Sequence, residues 1–168
     1  MAEELWRPVV GYEGYYEVSD HGHVRSLDRL VEASDGRTLR IQGRDRKLWR
    51  TPDGHLKTSL HKDGESRVPL IHRLVMDAFV GPCPLGMEVC HRNGVGTDNR
   101  LSNLRYGTRS ENSTDQVRHG VHNQARKTQC DRGHVYTATS TYEYRGRRVC
   151  RICRAALKRE RRRLKAAV

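Results

Sequence analysis

The chain has 168 residues, of which 35% are hydrophobic and 31% are charged, and its formal net charge is +12. This length suits one ordinary domain or two or three very small ones, and the lean apolar fraction favours small modules. No apolar run approaches the length of a bilayer span, and residues 1–4 are acidic, so we expect neither a membrane-spanning segment nor a secretory signal. Five cysteines in such a chain indicate reduced thiols or metal ligands rather than disulfides.

The positive charge is concentrated in the last quarter of the chain. Residues 1–80 hold 13 Lys/Arg and 13 Asp/Glu, whereas residues 125–168 hold 14 Lys/Arg and only 3 Asp/Glu. A block this basic typically meets a polyanion, most often nucleic acid. A membrane surface is the weaker interpretation, because no broad apolar helix face accompanies the charge. A merely solvated tail is the remaining alternative.

The first part of the chain predicts β-hairpins. Residues 15–19 and 23–27 are strand-like, and Asp20-His21-Gly22 between them predicts a turn. Residues 31–46 are polar and contain two glycines, which predicts an irregular segment. A second hairpin is predicted from residues 56–61 to 66–68. Four aromatic side chains are expected to form the core of this module: Trp6, Tyr12, Tyr15 and Tyr16.

The middle of the chain predicts a helix followed by a ββα unit. Apolar residues recur on one helix face from Pro69 to the break at Gly81. Strands are predicted at residues 87–90 and 104–106, with a long polar loop between them. Thr108 and Glu111 have the spacing of a reciprocal capping box, which predicts a second helix running to about residue 119. Residues 120–129 are expected to be a linker.

Near the C-terminus, four residues have the spacing of metal ligands. Cys130 and His134 form a C-x3-H pair, and after 15 intervening residues Cys150 and Cys153 form a C-x2-C pair. Two short pairs separated by a loop predict a closed tetrahedral Zn²⁺ site with no open position for catalysis. The metal would supply much of the folding free energy of this apolar-poor segment. The alternative is four unrelated residues.

A basic helix is predicted directly after this cluster, over residues 154–166. Its dense positive charge indicates contact with the DNA backbone or a groove, the alternative being a solvated helix. The basic residues expected to contact DNA are Arg154, Lys158, Arg159, Arg161, Arg162, Arg163 and Lys165.

The central segment carries marks of a nuclease family. Cys90-His91 ends the first strand, Asn103-Leu104-Arg105 opens the second, and Ser110-Glu111-Asn112 lies in the closing helix. In order and spacing, residues 68–119 resemble the HNH endonucleases, in the branch common among phage and homing enzymes. Upstream, Trp6-Arg7 and residues 11–27 resemble the nuclease-associated modular domain that often accompanies HNH enzymes.

The resemblance implies an α+β modular protein in three parts. Residues 1–67 would be a β module for DNA recognition, residues 68–123 a ββα-metal (HNH) nuclease domain, and residues 124–168 a zinc knuckle with a basic helix. The implied activity is metal-dependent hydrolysis of phosphodiester bonds in double-stranded DNA. A phage-encoded or homing enzyme is implied, acting in the cytoplasm of a bacterial host. As a monomer or weak dimer with one site per chain, it would cut one strand at a time. A monomer would therefore nick, and a double-strand break would need a dimer or a second event.

Three residues receive catalytic roles from the resemblance. His91 would be the general base that takes a proton from the attacking water, and its unperturbed pKa near neutrality suits that task. Asn103 is expected to orient His91 and pin the long loop. Asn112 would be an oxygen ligand for Mg²⁺ or Mn²⁺. The alternatives are a loop-capping Asn103 and an Asn112 that is only a polar helix residue; His72 either braces the loop or is simply a polar residue of a packed helix.

Cys90 departs from the family pattern, in which the residue before the catalytic His is often Asp or His and binds the metal. A thiolate is soft and poorly matched to Mg²⁺. Cys90 therefore either ligates a softer ion, or packs in the strand and leaves the metal to Asn112, the scissile phosphate oxygens and water. Of these we favour a Cys90 that lies at the catalytic metal. This departure keeps open a second function, a zinc-containing DNA-binding regulator without catalysis. A third alternative is an RNA-directed nuclease or binder, which the charge of the chain does not exclude.

Overall fold

The computed structural model describes residues 3–32 and 35–166. The chain divides into two compact units, Met1–His119 and Gly120–Val168. Both consist of short β-hairpins with few helices, which gives a mixed α/β protein. Within the described ranges, none of the helices has the length and apolarity that a bilayer span requires.

The first unit begins with a three-stranded antiparallel sheet, in the order β1 (Trp6–Pro8), β2 (Tyr16–Ser19) and β3 (Val24–Ser26). The predicted hairpin is confirmed, and Gly22 supplies the positive φ of +87° that its turn requires. Tyr16 is buried, with Tyr12 and Tyr15 packed against the same core. Trp6 is half-buried and lies outside this core. The Arg25 guanidinium lies over its ring, with Arg25 Cζ 4.0 Å from the centroid of the Trp6 ring.

Three further hairpins follow, and the first of them was not expected. Strands β4 (Arg29–Glu32) and β5 (Thr38–Ile41) pair antiparallel, so the prediction of an irregular segment over residues 31–46 is wrong there; residues 33 and 34 lie outside the described ranges. The Asp28 carboxylate closes this hairpin by accepting from Gly43 N at 2.6 Å and from Arg40 Nη2 at 3.0 Å. Its side chains are largely exposed, so the sequence lacks the apolar alternation that marks a strand.

The second predicted hairpin is divided into two. Strand β6 (Trp49–Arg50) pairs with β7 (Leu56–Lys57), and β8 (Leu60–Lys62) pairs with β9 (Glu65–Arg67). The break falls at buried Thr58, whose hydroxyl donates to Lys47 O at 2.9 Å and whose amide donates to Pro69 O at 3.2 Å. Thr58 thereby ties the hairpins to the start of the first helix.

Helix α1 (Ile71–Phe79) supplies the centre of the core. It begins two residues later than Pro69 because the Pro69 carbonyl is used by Thr58 and Leu70 bridges Lys57. Its buried apolar face packs against residues in or next to the N-terminal sheet, against one residue of β8 and against one residue that follows the helix in the chain. These residues are Val9, Val18, Val24, Leu60 and Leu104. One hydrophobic core therefore serves the whole first unit.

The predicted ββα unit is confirmed. Strands β10 (Met87–His91) and β11 (Leu104–Thr108) pair antiparallel, and helix α2 (Arg109–Arg118) follows with the complete Thr108–Glu111 capping box. Both helices contact the hairpin. Because side chains alternate along a strand, Val89 and His91 share the face that meets α1, while Glu88 and Cys90 share the face that meets α2.

The second unit is smaller. Helix α3 (Asn123–Arg126) occupies the segment expected to be a linker, and His122 Nδ1 caps it by accepting from Ala125 N at 3.3 Å. The hairpin of β12 (Thr141–Tyr144) and β13 (Arg147–Cys150) leads directly into α4 (Arg151–Ala166). The basic helix is thus confirmed, and it begins three residues earlier than predicted.

Candidate active site and metal-binding clusters

His91 is the last residue of β10 and is buried. Its Nε2 lies 3.1 Å from Asn99 Oδ1. Because a side-chain carbonyl can only accept, Nε2 carries the proton and Nδ1 keeps its lone pair. Burial lowers the pKa of His91, although the Asn99 hydrogen bond opposes this shift. The ring is therefore neutral near pH 7 and has one basic nitrogen.

Asn99 is held in place by the N-terminal sheet. Its side chain is buried, and a Cβ added at Gly22 would lie only 2.7 Å from Asn99 Cβ. Next to this contact, Leu101 N donates to Asp20 O at 2.7 Å. The turn between β2 and β3 therefore fixes the loop residue that fixes His91. Sequence reasoning missed Asn99, because its only signal was an amide in a polar loop.

Asn103, expected to orient His91, makes different contacts. Its Nδ2 donates to Asn93 Oδ1 at 3.0 Å and to Asp98 O at 2.8 Å, and its Oδ1 accepts from Asn93 N at 3.1 Å. These bonds brace the loop between β10 and β11 from its 3₁₀ turn, Leu101–Asn103. Asn103 thus pins the loop, and Asn99 rather than Asn103 holds the imidazole.

Three histidine rings converge beside the end of β10. The ring centroid of His55 lies 5.0 Å from that of His72 and 5.6 Å from that of His91, and the His72 and His91 centroids are 5.2 Å apart. One nitrogen from each ring lies within 4.8 Å of the other two. His72 is on α1 and His55 follows Gly54 in the turn between β6 and β7. His72 therefore lies in one cluster with His91, and His55 is a member of that cluster that the sequence did not indicate.

Glu88 and Asn112 form a second polar group, on the face of the β10–β11 hairpin that meets α2 and is opposite to His91. Asn112 Nδ2 donates to Glu88 Oε1 at 2.5 Å. Arg105 of β11 pairs with Asp115 of α2 at 2.6 Å, which fastens the helix to the strands. Within the described residues, hydrogen bonds join His91 to Asn99 and Asn112 to Glu88, and none joins the two groups.

Cys90 is buried on this α2 face. Burial raises the pKa of its thiol, with Arg105 opposing the shift, and the Sγ donates to Glu88 O at 3.7 Å. A Cβ at Gly107 would approach Cys90 Sγ to 3.1 Å, so the cross-strand glycine makes room for the sulfur. The side chain at position 90 is therefore a packed, protonated thiol that lies on the same strand face as Glu88.

The predicted cysteine and histidine ligands of the second unit come together. One ligand atom from each of Cys130, His134, Cys150 and Cys153 lies within 4.8 Å of the other three. Cys130 Sγ and Cys153 Sγ are 3.7 Å apart, close to the edge of about 3.8 Å of a tetrahedron of sulfur atoms around Zn²⁺. His134 Nδ1 lies 3.4 Å from Cys130 Sγ and 3.2 Å from Cys153 Sγ. The donor set and spacing fit a closed tetrahedral metal site.

Local backbone structure favours a thiolate in this cluster. Burial tends to raise the pKa of Cys130, but hydrogen bonds from the backbone of Arg132 and His134, together with those from the side chains of His134 and Cys153, outweigh it and bring the pKa to about 6. Cys150 ends β13 and Cys153 lies in the first turn of α4, so metal ligation would attach the helix to the hairpin.

Comparison with known proteins agrees with this geometry. Residues 70–114 match the HNH endonuclease family, and residues 4–70 match the NUMOD4 motif. The chain contains an HNH endonuclease domain preceded by a NUMOD4 motif. His72, His91, Asn103 and Asn112 all belong to the HNH domain, whereas His55 belongs to the NUMOD4 motif.

A phage enzyme is similar over most of the chain. The DNA endonuclease I-HmuI of Bacillus phage SP01 is 32% identical over 124 residues, which cover 74% of this chain and 64% of the phage enzyme. A solved structure described as DNA binding and cleavage by the HNH homing endonuclease I-HmuI aligns with a TM-score of 0.55 and 31% identity, covering 70% of this chain and 60% of that one. The chain thus spans somewhat less than two thirds of this homologue.

Burial of His72 predicts acid sensitivity of the first unit. Desolvation, with smaller contributions from His91 and His55, lowers the pKa of His72 to about 3. The unfolded chain takes up that proton near pH 6.5, so stability should be full above this pH and fall as the pH drops toward 3, by at most about 1.4 kcal/mol per pH unit. The His72→Gln variant should lose less stability between pH 7 and 5 in urea titrations.

Tryptophan fluorescence is the appropriate measurement, because both tryptophans, Trp6 and Trp49, lie in the first unit. Parallel loss of stability in the variant and the wild type would contradict this account.

Proposed function

We propose that the chain is a metal-dependent endonuclease that hydrolyses phosphodiester bonds in DNA. One observation carries the proposal: within an HNH domain, His91 is buried, neutral and held in one tautomer by Asn99. That arrangement is what a general base requires, since a proton acceptor must be unprotonated and correctly oriented before the reaction begins.

The side chains around His91 have separate tasks in this mechanism. Nδ1 takes the proton of the attacking water. Asn99 Oδ1 accepts from Nε2–H, so it keeps the ring oriented and stabilises the imidazolium that forms. The Asn103 bonds to Asn93 and Asp98 keep the loop closed around this pair. Asn99 and Asn103 are thus positioning residues, and His91 is the catalytic one.

The α2 face fits a hard divalent ion. Asn112 offers an amide oxygen and Glu88 a carboxylate, which are the donors that Mg²⁺ and Mn²⁺ prefer. A bound ion would supply stabilisation for the charge that develops on the phosphate and the leaving oxygen. Because His91 is the last residue of β10, the phosphate would lie at this strand end, where it can meet both the imidazole and the α2 face. Cys90 lines this site without being a good ligand, because its thiol is protonated. Glu88 supplies the carboxylate that the strand lacks at position 90.

The second unit is proposed to bind the DNA backbone. Its four ligands would hold structural Zn²⁺, and α4 would then present Arg154, Lys158, Arg159, Arg161, Arg162, Arg163 and Lys165, all exposed. Phosphate neutralisation by such residues makes affinity fall steeply with salt. We further propose a phage-encoded homing enzyme, acting in the cytoplasm of a bacterial host, whose single site nicks duplex DNA as a monomer or weak dimer.

Nicking of supercoiled plasmid tests the central claim. With Mg²⁺ or Mn²⁺, the wild type should convert supercoiled plasmid to the open-circular form, and His91→Ala should lower that rate by at least 100-fold while binding of the plasmid persists. His61→Ala is the matched control, because His61 is an exposed histidine outside the cluster. Binding without cleavage by the wild type in either metal would support the non-catalytic regulator, and preferred cleavage of RNA would change the substrate.

The metal site makes a second prediction. Glu88→Gln should raise the Mg²⁺ concentration needed for half-maximal cleavage by about tenfold or more, because a carboxylate ligand is lost. Cys90→Asp should increase Mg²⁺-supported cleavage by placing a hard oxygen donor on the same face. Cys90→Ser, which alters the sulfur without adding a carboxylate, is the control. If both Glu88→Gln and Cys90→Asp leave the metal dependence of cleavage unchanged, the ion does not bind on the α2 face.

Removal of zinc should affect only the second unit. A chelator should lower the far-UV helical signal of α4 and weaken DNA binding, while tryptophan fluorescence from the first unit stays native. Cys150→Ser should reproduce this state without chelator. Cys83→Ser, at an exposed cysteine outside the cluster, should not. Native helicity and no zinc in the purified, chelated protein would contradict the structural site.

A further inference from the structure

The histidine cluster has the composition of a third metal site, whose donors differ from those of the α2 face and of the cysteine cluster, although it shares His91 with the candidate active site. His55, His72 and His91 bring three imidazoles together, and neutral imidazole is a preferred ligand of Zn²⁺ and related ions. Tetrahedral Zn²⁺ needs ligand nitrogens about 3.4 Å apart. The nitrogens of the three rings lie within 4.8 Å of one another, so binding would draw them closer together. Three protein ligands would leave a fourth position open.

The burial of the cluster points to a missing partner. His72 is only 5% exposed, and its Nδ1 is a buried polar atom with no hydrogen-bond partner among the residues that the structure describes. An unsatisfied buried nitrogen costs free energy, and a bound ion is one of the few groups that would compensate for it. His91 also has a nitrogen to spare, because Asn99 uses only Nε2.

The position of His55 is specified by close backbone packing. A Cβ at Gly96 would lie 3.0 Å from Gly54 O and 3.3 Å from His55 Cδ2. The loop after His91 therefore lies directly against the turn that carries His55, and a side chain at position 96 would crowd this contact. In this way the NUMOD4 motif contributes a ring to a cluster on the HNH domain.

We propose that His55, His72 and His91 bind one transition-metal ion of the Zn²⁺ class, and that the bound ion prevents His91 from acting as a base. The binding site stands on geometry alone, whereas its inhibitory effect rests on the proposed function. An ion on His91 would occupy the lone pair that the reaction uses, so micromolar Zn²⁺ should inhibit cleavage supported by Mg²⁺.

Metal stoichiometry of the full chain tests the site without reference to activity. Dialysed against micromolar Zn²⁺, the wild type should retain two ions per chain, one on the cysteine cluster and one on the histidines. His55→Gln should retain one, and the control His61→Gln should retain two. One ion in the wild type, or two in a His55→Gln variant with native tryptophan fluorescence, would overturn the proposal.

Cobalt substitution gives a readout on the wild type itself, which stays decisive if His55→Gln fails to fold. The first Co²⁺ should show thiolate-to-metal charge transfer, because the cysteine cluster has three sulfur ligands. The second should add visible d–d absorption without that band. A second ion that adds thiolate charge transfer, or no second ion, would exclude an all-histidine site.

Inhibition is measured as the ratio of each protein's cleavage rate with and without micromolar Zn²⁺ at fixed Mg²⁺. We expect at least a tenfold loss for the wild type and for His61→Gln, and little change for His55→Gln relative to its own zinc-free rate. If the wild type binds two zinc ions but never cleaves DNA, the histidine site stands and the proposed nuclease function fails. If the wild type cleaves DNA, is insensitive to zinc and binds one zinc ion, the nuclease function stands and the histidine site fails.

Discussion

The hydrogen bond between His91 Nε2 and Asn99 Oδ1 is the contact on which the candidate active site depends. It sets the tautomer of the imidazole, and so decides which nitrogen is available for proton transfer or for a metal ion. Asn99 is held in position by the Gly22 turn, which packs against it, and by the hydrogen bond from Leu101 N to the Asp20 carbonyl in the same loop. The geometry of the site is thus imposed from a different sheet.

The NUMOD4 motif and the HNH domain form one compact unit because they share a hydrophobic core. Helix α1 packs its apolar face against strands from both segments, so neither has a complete core without the other. Thr58 and Gly96 add polar and steric contacts at the same junction. The first segment consequently provides the support for Asn99 and the ring of His55.

The β10–β11 hairpin separates two kinds of chemistry by the alternation of its side chains. The face toward α1 gathers nitrogen donors, which suit proton transfer and borderline metal ions. The face toward α2 gathers the oxygen donors Glu88 and Asn112, which suit hard ions. Cys90 lies among the oxygen donors as a protonated thiol, and Glu88 provides the carboxylate two residues earlier on the same face.

Local patterns sufficed to predict the ββα unit, the capping box, the basic helix and the four Cys and His residues that converge in the second unit. The reason is that helix periodicity, cap spacing and short Cys/His pairs all act within a few residues. They did not reveal the β4–β5 hairpin, whose exposed strands lack apolar alternation. Nor did they reveal Asn99, Glu88 or His55 as site residues. Those roles arise only when segments up to dozens of residues apart are packed on one core, since tertiary contacts alone decide which amide faces His91 and which rings share its pocket.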